Sequence, residues 1–212
     1  ETACGVGLIA STEGKKSRNV VEYGIEALKA VWHRGAVDAD GKTGDGAGIH
    51  VEIPKDFFIE KIEVTGHTHD SSDICVGMIF LPRNDYAAQE SCKTIVESEL
   101  TKNDFNIYGW RQVPVNPKVL GEKAFQTMPE IIQVLFKPHN KDLTNKDLER
   151  KIYETRRKIE NEAFKKSLNN FYICSLSSKS IIYKGMFLAE AISEFYLDLN
   201  DERFVSRYAI FH

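Results

Sequence analysis

The chain has 212 residues, 42% of them hydrophobic and 28% charged, with a formal net charge of -3. That length supports a sizeable core and is short for two domains, so a single domain over 1–212 is expected. The near-neutral balance gives no electrostatic case for a nucleic-acid partner or an anionic membrane. No apolar run approaches the roughly 18 residues that span a bilayer, and the first residues lack the basic and apolar regions of a signal peptide. The four cysteines, Cys4, Cys75, Cys92 and Cys174, show no zinc or iron–sulfur spacing, which fits a reducing compartment and a cytoplasmic location.

Chain order begins with Cys4-Gly5-Val6-Gly7-Leu8-Ile9-Ala10. This run reads as a buried strand, and its glycines let backbone or a ligand come close to the thiol. On residue type alone a lone Cys is a small core hydrophobe. A thiol this near a chain end can instead borrow a terminal amine as its base. Because the chain starts at Glu1, residues 1–3 read as the remnant of a leader.

From Asn19, Val21, Ile25, Leu28 and Trp32 fall at helical spacing, leaving Glu22, Glu26 and Lys29 in water. The helix is expected to stop at His33-Arg34-Gly35-Ala36, with Gly35 as the left-handed stop. Arg34 then stands at a helix terminus, either as a planar fork for a carboxylate or as a solvated cap on the last carbonyls. Next, residues 41–48 hold four glycines, Gly41, Gly44, Gly46 and Gly48, before the apolar stretch Ile49-His50-Val51-Glu52-Ile53. Gly-Lys-Thr here lacks the upstream glycine of a phosphate-binding P-loop and precedes a strand, so a tight turn bringing backbone to an active site is the preferred reading.

Further along, 73–81 reads as a strand, 86–100 as an amphipathic helix, and 106–113 and 131–136 as strands. Asn145 is expected to cap a helix over 146–166, with Leu148, Ile152, Ile159 and Ala163 inward and Arg156, Arg157 and Lys158 on the surface. Segments 171–177 and 180–186 read as a hairpin around Ser178-Lys179. Segment 204–211 reads as a last strand whose open apolar edge would invite a homo-oligomer. Cys75 and Cys174 belong to core strands and Cys92 to helix packing. The cluster His67-Thr68-His69-Asp70 could hold a metal but sits in a polar loop without a fourth ligand, so no metal site is assigned.

Several of these segments, in this order and spacing, closely resemble one family. Cys4-Gly5-Val6-Gly7-Leu8-Ile9-Ala10, His33-Arg34-Gly35-Ala36, Asp40-Gly41-Lys42-Thr43-Gly44-Asp45-Gly46-Ala47-Gly48-Ile49, Gly109-Trp110-Arg111-Gln112-Val113-Pro114 and Phe195-Tyr196-Leu197-Asp198-Leu199 are similar to the amino-terminal glutaminase domain of the glutamate synthase large subunit. That domain is a class II glutamine amidotransferase. The resemblance covers essentially the whole chain.

It implies an α+β, four-layer αββα amino-terminal-nucleophile hydrolase fold, here incomplete. It implies Cys4 as the nucleophile once residues 1–3 are gone, Arg34 in the glutamine site, and Gly44, Asp45 and Gly46 in an active-site loop. Glutamine or glutamate is the implied ligand. The remaining synthase domains or a separate polypeptide are the implied partners. FMN and an iron–sulfur cluster belong to other regions of the full synthase, and no cofactor is expected in this chain.

Two departures stand beside the matches. Residues 1–3 acylate the nitrogen of Cys4. The Arg-Phe-Ser-Thr-Asn-Thr and His-Asn-Gly segments, which by resemblance carry the carboxylate anchor and the oxyanion donors, do not occur in these 212 residues. The expectation is therefore weak or absent glutaminase activity as it stands, or a non-catalytic binding or regulatory module that keeps the fold.

Overall fold

The computed structural model describes residues 5–31, 35–68 and 74–212. Their backbone contacts group into two units. The first is built from described residues within 1–54, 113–128 and 182–212, and the second from those within 55–112 and 129–181. The chain thus crosses between the units four times, the last time inside a strand.

The first unit carries a sheet of four strands, β1 (Gly7–Ala10), β2 (Ala47–Glu52), β7 (Ser180–Gly185) and β8 (Tyr208–Phe211), in the order β1-β8-β2-β7. β8 runs antiparallel to both neighbours: Gly7 faces Phe211 and Phe211 faces Ile49. Helix α1 (Arg18–Ala30) starts at the Ser17 cap, whose hydroxyl accepts from the Val20 amide, and buries Val20, Val21, Ile25 and Leu28. Its periodicity follows the apolar spacing, but it ends at Ala30 with Val31 as its last capped residue, before Gly35. Helices α4 (Glu122–Thr127) and α6 (Ile192–Phe195) complete this unit.

The amino-terminal strand is an edge, not a buried strand. Among the described residues β1 has a neighbour only on the β8 side, and its residues alternate, with Leu8 61% exposed. β8 is shorter than expected and lies between β1 and β2, so both its backbone edges are paired and it offers none to a second copy. Residues ahead of it turn instead: Ser206 bridges Ser17, and the Arg207 amide and guanidinium donate to the buried Glu52 carboxylate at 2.6–3.2 Å.

In the second unit, β3 (Cys75–Leu81), β4 (Phe105–Gln112), β5 (Glu130–Pro138) and β6 (Tyr172–Ser177) form an antiparallel sheet in the order β4-β5-β3-β6. β3 and β5 are central, which is why both read as largely apolar runs, broken within 131–136 of β5 only by the buried Gln133. Helices α3 (Tyr86–Lys102) and α5 (Asn145–Lys165) cover one face, packing Cys92, Ile95, Val96, Ile152, Ile159 and Ala163 with Ile79, Val134 and Phe136 of the strands. Helix α2 (Lys55–Glu63) buries Phe57, Phe58 and Ile62.

The α5 cap is Thr144, one residue before the expected Asn145. Its hydroxyl accepts from the Asp147 amide and donates to the Asp147 carboxylate. Of the basic trio, Arg156 donates to the Ile173 carbonyl at 2.7 Å and Lys158 to the Asn103 side chain at 2.6 Å, so both serve the unit's own packing.

β6 and β7 are two residues apart yet belong to different sheets, which overturns the hairpin expected around Ser178-Lys179. The turn there is tied to α5 instead. Both Ser177 and Ser178 hydroxyls, and the Ser178 amide, donate to the Glu149 carboxylate at 2.6–2.9 Å. A carboxylate accepting three hydrogen bonds fixes the exit direction of the chain more firmly than a free two-residue turn would.

Candidate active site

Cys4 and Arg34 lie outside the described residues, as do His69 and Asp70 of the candidate metal cluster. The segments that follow both are described, as is the helix before Arg34, and all belong to the first unit. β1 and β2 both run antiparallel to β8, so their amino-terminal ends point the same way and stand level, with Gly7 and Ile49 flanking Phe211. Gly7 is three residues after Cys4, and Ile49 directly follows the glycine-rich loop.

That loop is itself a small hairpin. Val37 and Gly44 form an antiparallel bridge, the Asp38 amide donates to the Thr43 carbonyl at 2.8 Å, and the Gly41 amide closes the turn onto the Asp38 carbonyl at 2.9 Å. The Asp45 amide donates to the carbonyl of Ala36 at 3.1 Å, two residues after Arg34. Asp45 spends its backbone on the hairpin and leaves its side chain exposed.

The glycines have separate uses. Gly44 is pressed on backbone: a Cβ there would come within 2.6 Å of the Phe187 carbonyl and 2.9 Å of the Leu188 nitrogen. Gly48 is pressed on a side chain, since a Cβ there would come within 2.9 Å of the Lys184 Cβ, and it exchanges backbone hydrogen bonds with His212 at 2.9 and 3.2 Å. Gly46 has φ of 132°, a conformation other residues rarely adopt, and a Cβ there would make only ordinary contact, 3.8 Å from the Gly185 carbonyl. The smallness of Gly44 is used in packing against the Phe187–Leu188 backbone.

The residue that shapes the loop is Asp40, which sequence reading passed over. Its carboxylate accepts from the Lys42 and Thr43 amides at 2.9 and 2.7 Å and from the Thr43 hydroxyl at 2.6 Å. The Thr43 hydroxyl, then the Thr43 and Lys42 amides, hold this carboxyl well below the usual carboxylate range. The Asp-x-x-Thr spacing inside a glycine-rich stretch was the available signal, since Asp side chains turn back onto amides two and three residues on. Behind the loop, His50 of β2 packs edge-on to Tyr208 at 5.8 Å, and burial lowers its pKa.

The expected packing roles of the other cysteines hold. Cys75, Cys92 and Cys174 are buried, none is in a disulfide, and burial pushes the Cys92 thiol up to about 11. Among the described residues no three His, Cys, Asp or Glu side chains group as a metal site. His67 instead shares a 2.9 Å hydrogen bond with the Thr65 hydroxyl.

Comparison with known proteins bears directly on this arrangement. The chain is 56% identical over 210 residues to the glutamate synthase [NADPH] large chain of Azospirillum brasilense, covering 99% of this chain and 14% of that protein. It is 42% identical over 212 residues to ferredoxin-dependent glutamate synthase 1, chloroplastic/mitochondrial, of Arabidopsis thaliana, and 36% identical over 211 residues to ferredoxin-dependent glutamate synthase 2 of Synechocystis. In each case the chain spans 13–14% of the length of the relative. The model of the family "Glutamine amidotransferases class-II" matches residues 4–212, from the predicted nucleophile to the final residue. With its motifs in order and that match across its length, the chain belongs to the class-II glutamine amidotransferases.

Proposed function

We propose that this glutamate-synthase-type amidotransferase domain hydrolyses glutamine to glutamate and ammonia through Cys4. The thiolate attacks the side-chain amide carbon, ammonia leaves, and water cleaves the resulting thioester. An α-amine titrates near ~7.7–8 and a thiol near ~8.5, so a free Cys4 amine is matched to take the thiol proton and return it to the leaving nitrogen. Arg34 has a positioning role in the glutamine site and moves no proton.

The observation that carries this reading is the convergence of three segments in one unit. The strand following Cys4 and the strand following the glycine-rich loop stand level on either side of Phe211, and the backbone two residues after Arg34 is hydrogen-bonded to that loop. Pure core packing gives no reason for that coincidence. In the same reading residues 1–3 are a leader, glutamine is the ligand, and the remaining regions of a synthase chain, with their FMN and iron–sulfur groups, receive the ammonia. Three buried thiols without a disulfide suit a reducing compartment such as the cytoplasm. No described helix is long and apolar enough to cross a membrane.

Activity of the 212-residue chain itself is expected to be low for two separable reasons. With residues 1–3 attached the Cys4 nitrogen is an amide and no base. The segment that by resemblance carries the oxyanion donors does not occur in these 212 residues, and one such donor is worth about a hundred- to a thousand-fold in rate. Ammonia release is to be measured for the chain, for the chain starting at Cys4, and for that chain with Cys4→Ala. Only the second should show glutamine-dependent thiol chemistry, with slow turnover. Turnover that survives Cys4→Ala would overturn the mechanism, and a trimmed chain inert to glutamine and its electrophilic analogues would favour a binding module.

A further inference from the structure

The glycine-rich loop is anchored by a segment that lies about 80 residues away in sequence and belongs to none of the motifs. Helix α4 begins at Gly121, which has no side chain to cap it. The cap comes from the loop: the Thr43 hydroxyl accepts from the Ala124 amide at 3.3 Å while donating to Asp40 at 2.6 Å. Thr43 is 2% exposed, so the bond between loop and helix is shielded from water.

Gly121 is what permits this approach. A Cβ there would fall on the Asp40 carboxylate and the Thr43 hydroxyl, and 2.5 Å from the Thr43 amide nitrogen. The two oxygens are side-chain atoms held in place by the hydrogen bonds of the Asp40–Thr43 turn, and the Thr43 nitrogen is backbone that cannot swing clear. At the rim, Lys123 pairs with Asp38 at 2.7 Å, at the base of the same hairpin. Loop and helix therefore complete each other: α4 receives its missing cap, and the Asp40–Thr43 turn receives a fixed wall.

We propose that Gly121, Thr43 and Asp40 are positioning residues that latch the glycine-rich loop onto the start of α4 in the shape that accepts glutamine. This rests on the glutaminase reading above. A catalytic loop displaced by about 1 Å loses up to about a hundredfold in rate, so a wall contacting only the back of the loop is enough to control the chemistry.

The test uses Gly121→Ala and the near-isosteric Thr43→Val, with Thr43→Ser as the conservative control. Amide exchange is followed in the full chain over 36–48 and over 208–211. Alkylation of Cys4 by an electrophilic glutamine analogue is followed in the chain with its Cys4 amine free. Both Gly121→Ala and Thr43→Val should speed exchange over 36–48 by at least about tenfold while 208–211 stays unchanged. Both should slow glutamine-protected alkylation at saturating analogue by about tenfold to a hundredfold, with the rate toward iodoacetamide kept, and Thr43→Ser should restore it. Should the added methyl at 121 unfold the unit, Thr43→Val decides alone. Unchanged protection of the loop, or a loosened loop with unchanged glutamine-protected alkylation, overturns the latch. Absence of glutamine-protected alkylation in the parent chain overturns the glutaminase reading instead.

Discussion

Glu52 shows how one buried carboxylate sets an acid limit on the first sheet. Burial alone would raise its pKa, but the Arg207 side chain and amide, with the charge of Lys16, outweigh that and hold it below the ordinary value. A depressed carboxylate contributes stability that is present above its unfolded pKa, near ~4.3, and is lost as pH falls through the folded value. Glu52→Gln is expected to cost about 1–2 kcal/mol at pH 7, because it weakens the hydrogen bonds from Arg207. Below about pH 4.3 its urea midpoint should fall less steeply than that of the parent chain. The cysteines give a second expectation at this scale. With Cys4→Ala, the native chain should present no fast-reacting thiol to Ellman's reagent at pH 8, since Cys75, Cys92 and Cys174 are buried, and unfolding should release all three.

Elements read well from the sequence wherever one physical signal dominated. The apolar runs of β3 and, apart from Gln133, of β5 match strands buried on both faces, and the 3.6 period of α5 matches a helix with one wet side. Failures came where two answers share the same local chemistry. Ser178-Lys179 is as good a turn between two sheets as within a hairpin, and the Glu149 carboxylate that decides between them is about 30 residues away. The candidate site divides similarly: its glycines were visible, but that Gly44 is small for Phe187 and that Thr43 caps α4 are facts of tertiary approach. β1 supplies a test at this scale. A Cβ on Gly7 would overlap the ring of Phe211, so Gly7→Ala should cost about 1–3 kcal/mol through overpacking. Phe211→Leu should relieve much of it, and the double mutant should be more stable than the sum of the singles, by urea unfolding.

Taken whole, the molecule has the fold class of its family, an amino-terminal-nucleophile hydrolase with two antiparallel sheets and flanking helices. Its two units are interleaved along the chain, and neither is a continuous stretch of sequence. Removing residues 208–212 takes the strand from between β1 and β2. Amides of both are expected to lose exchange protection, while those of β3 and β5, whose partners are all retained, keep theirs. Equal loss in both sheets would show that the units unfold together.

The pairing of β1 with β8 also sets an order of events during synthesis. Gly7 and Phe211 are partners separated by about 200 residues, so at ~5–20 residues per second the strand beside Cys4 emerges roughly 10–40 s before its neighbour exists. Until then it has nothing to pair with. On the proposed reading the nucleophile therefore cannot meet the rest of its site before β8 has been made and has closed the sheet, and its amine is best unblocked only after that.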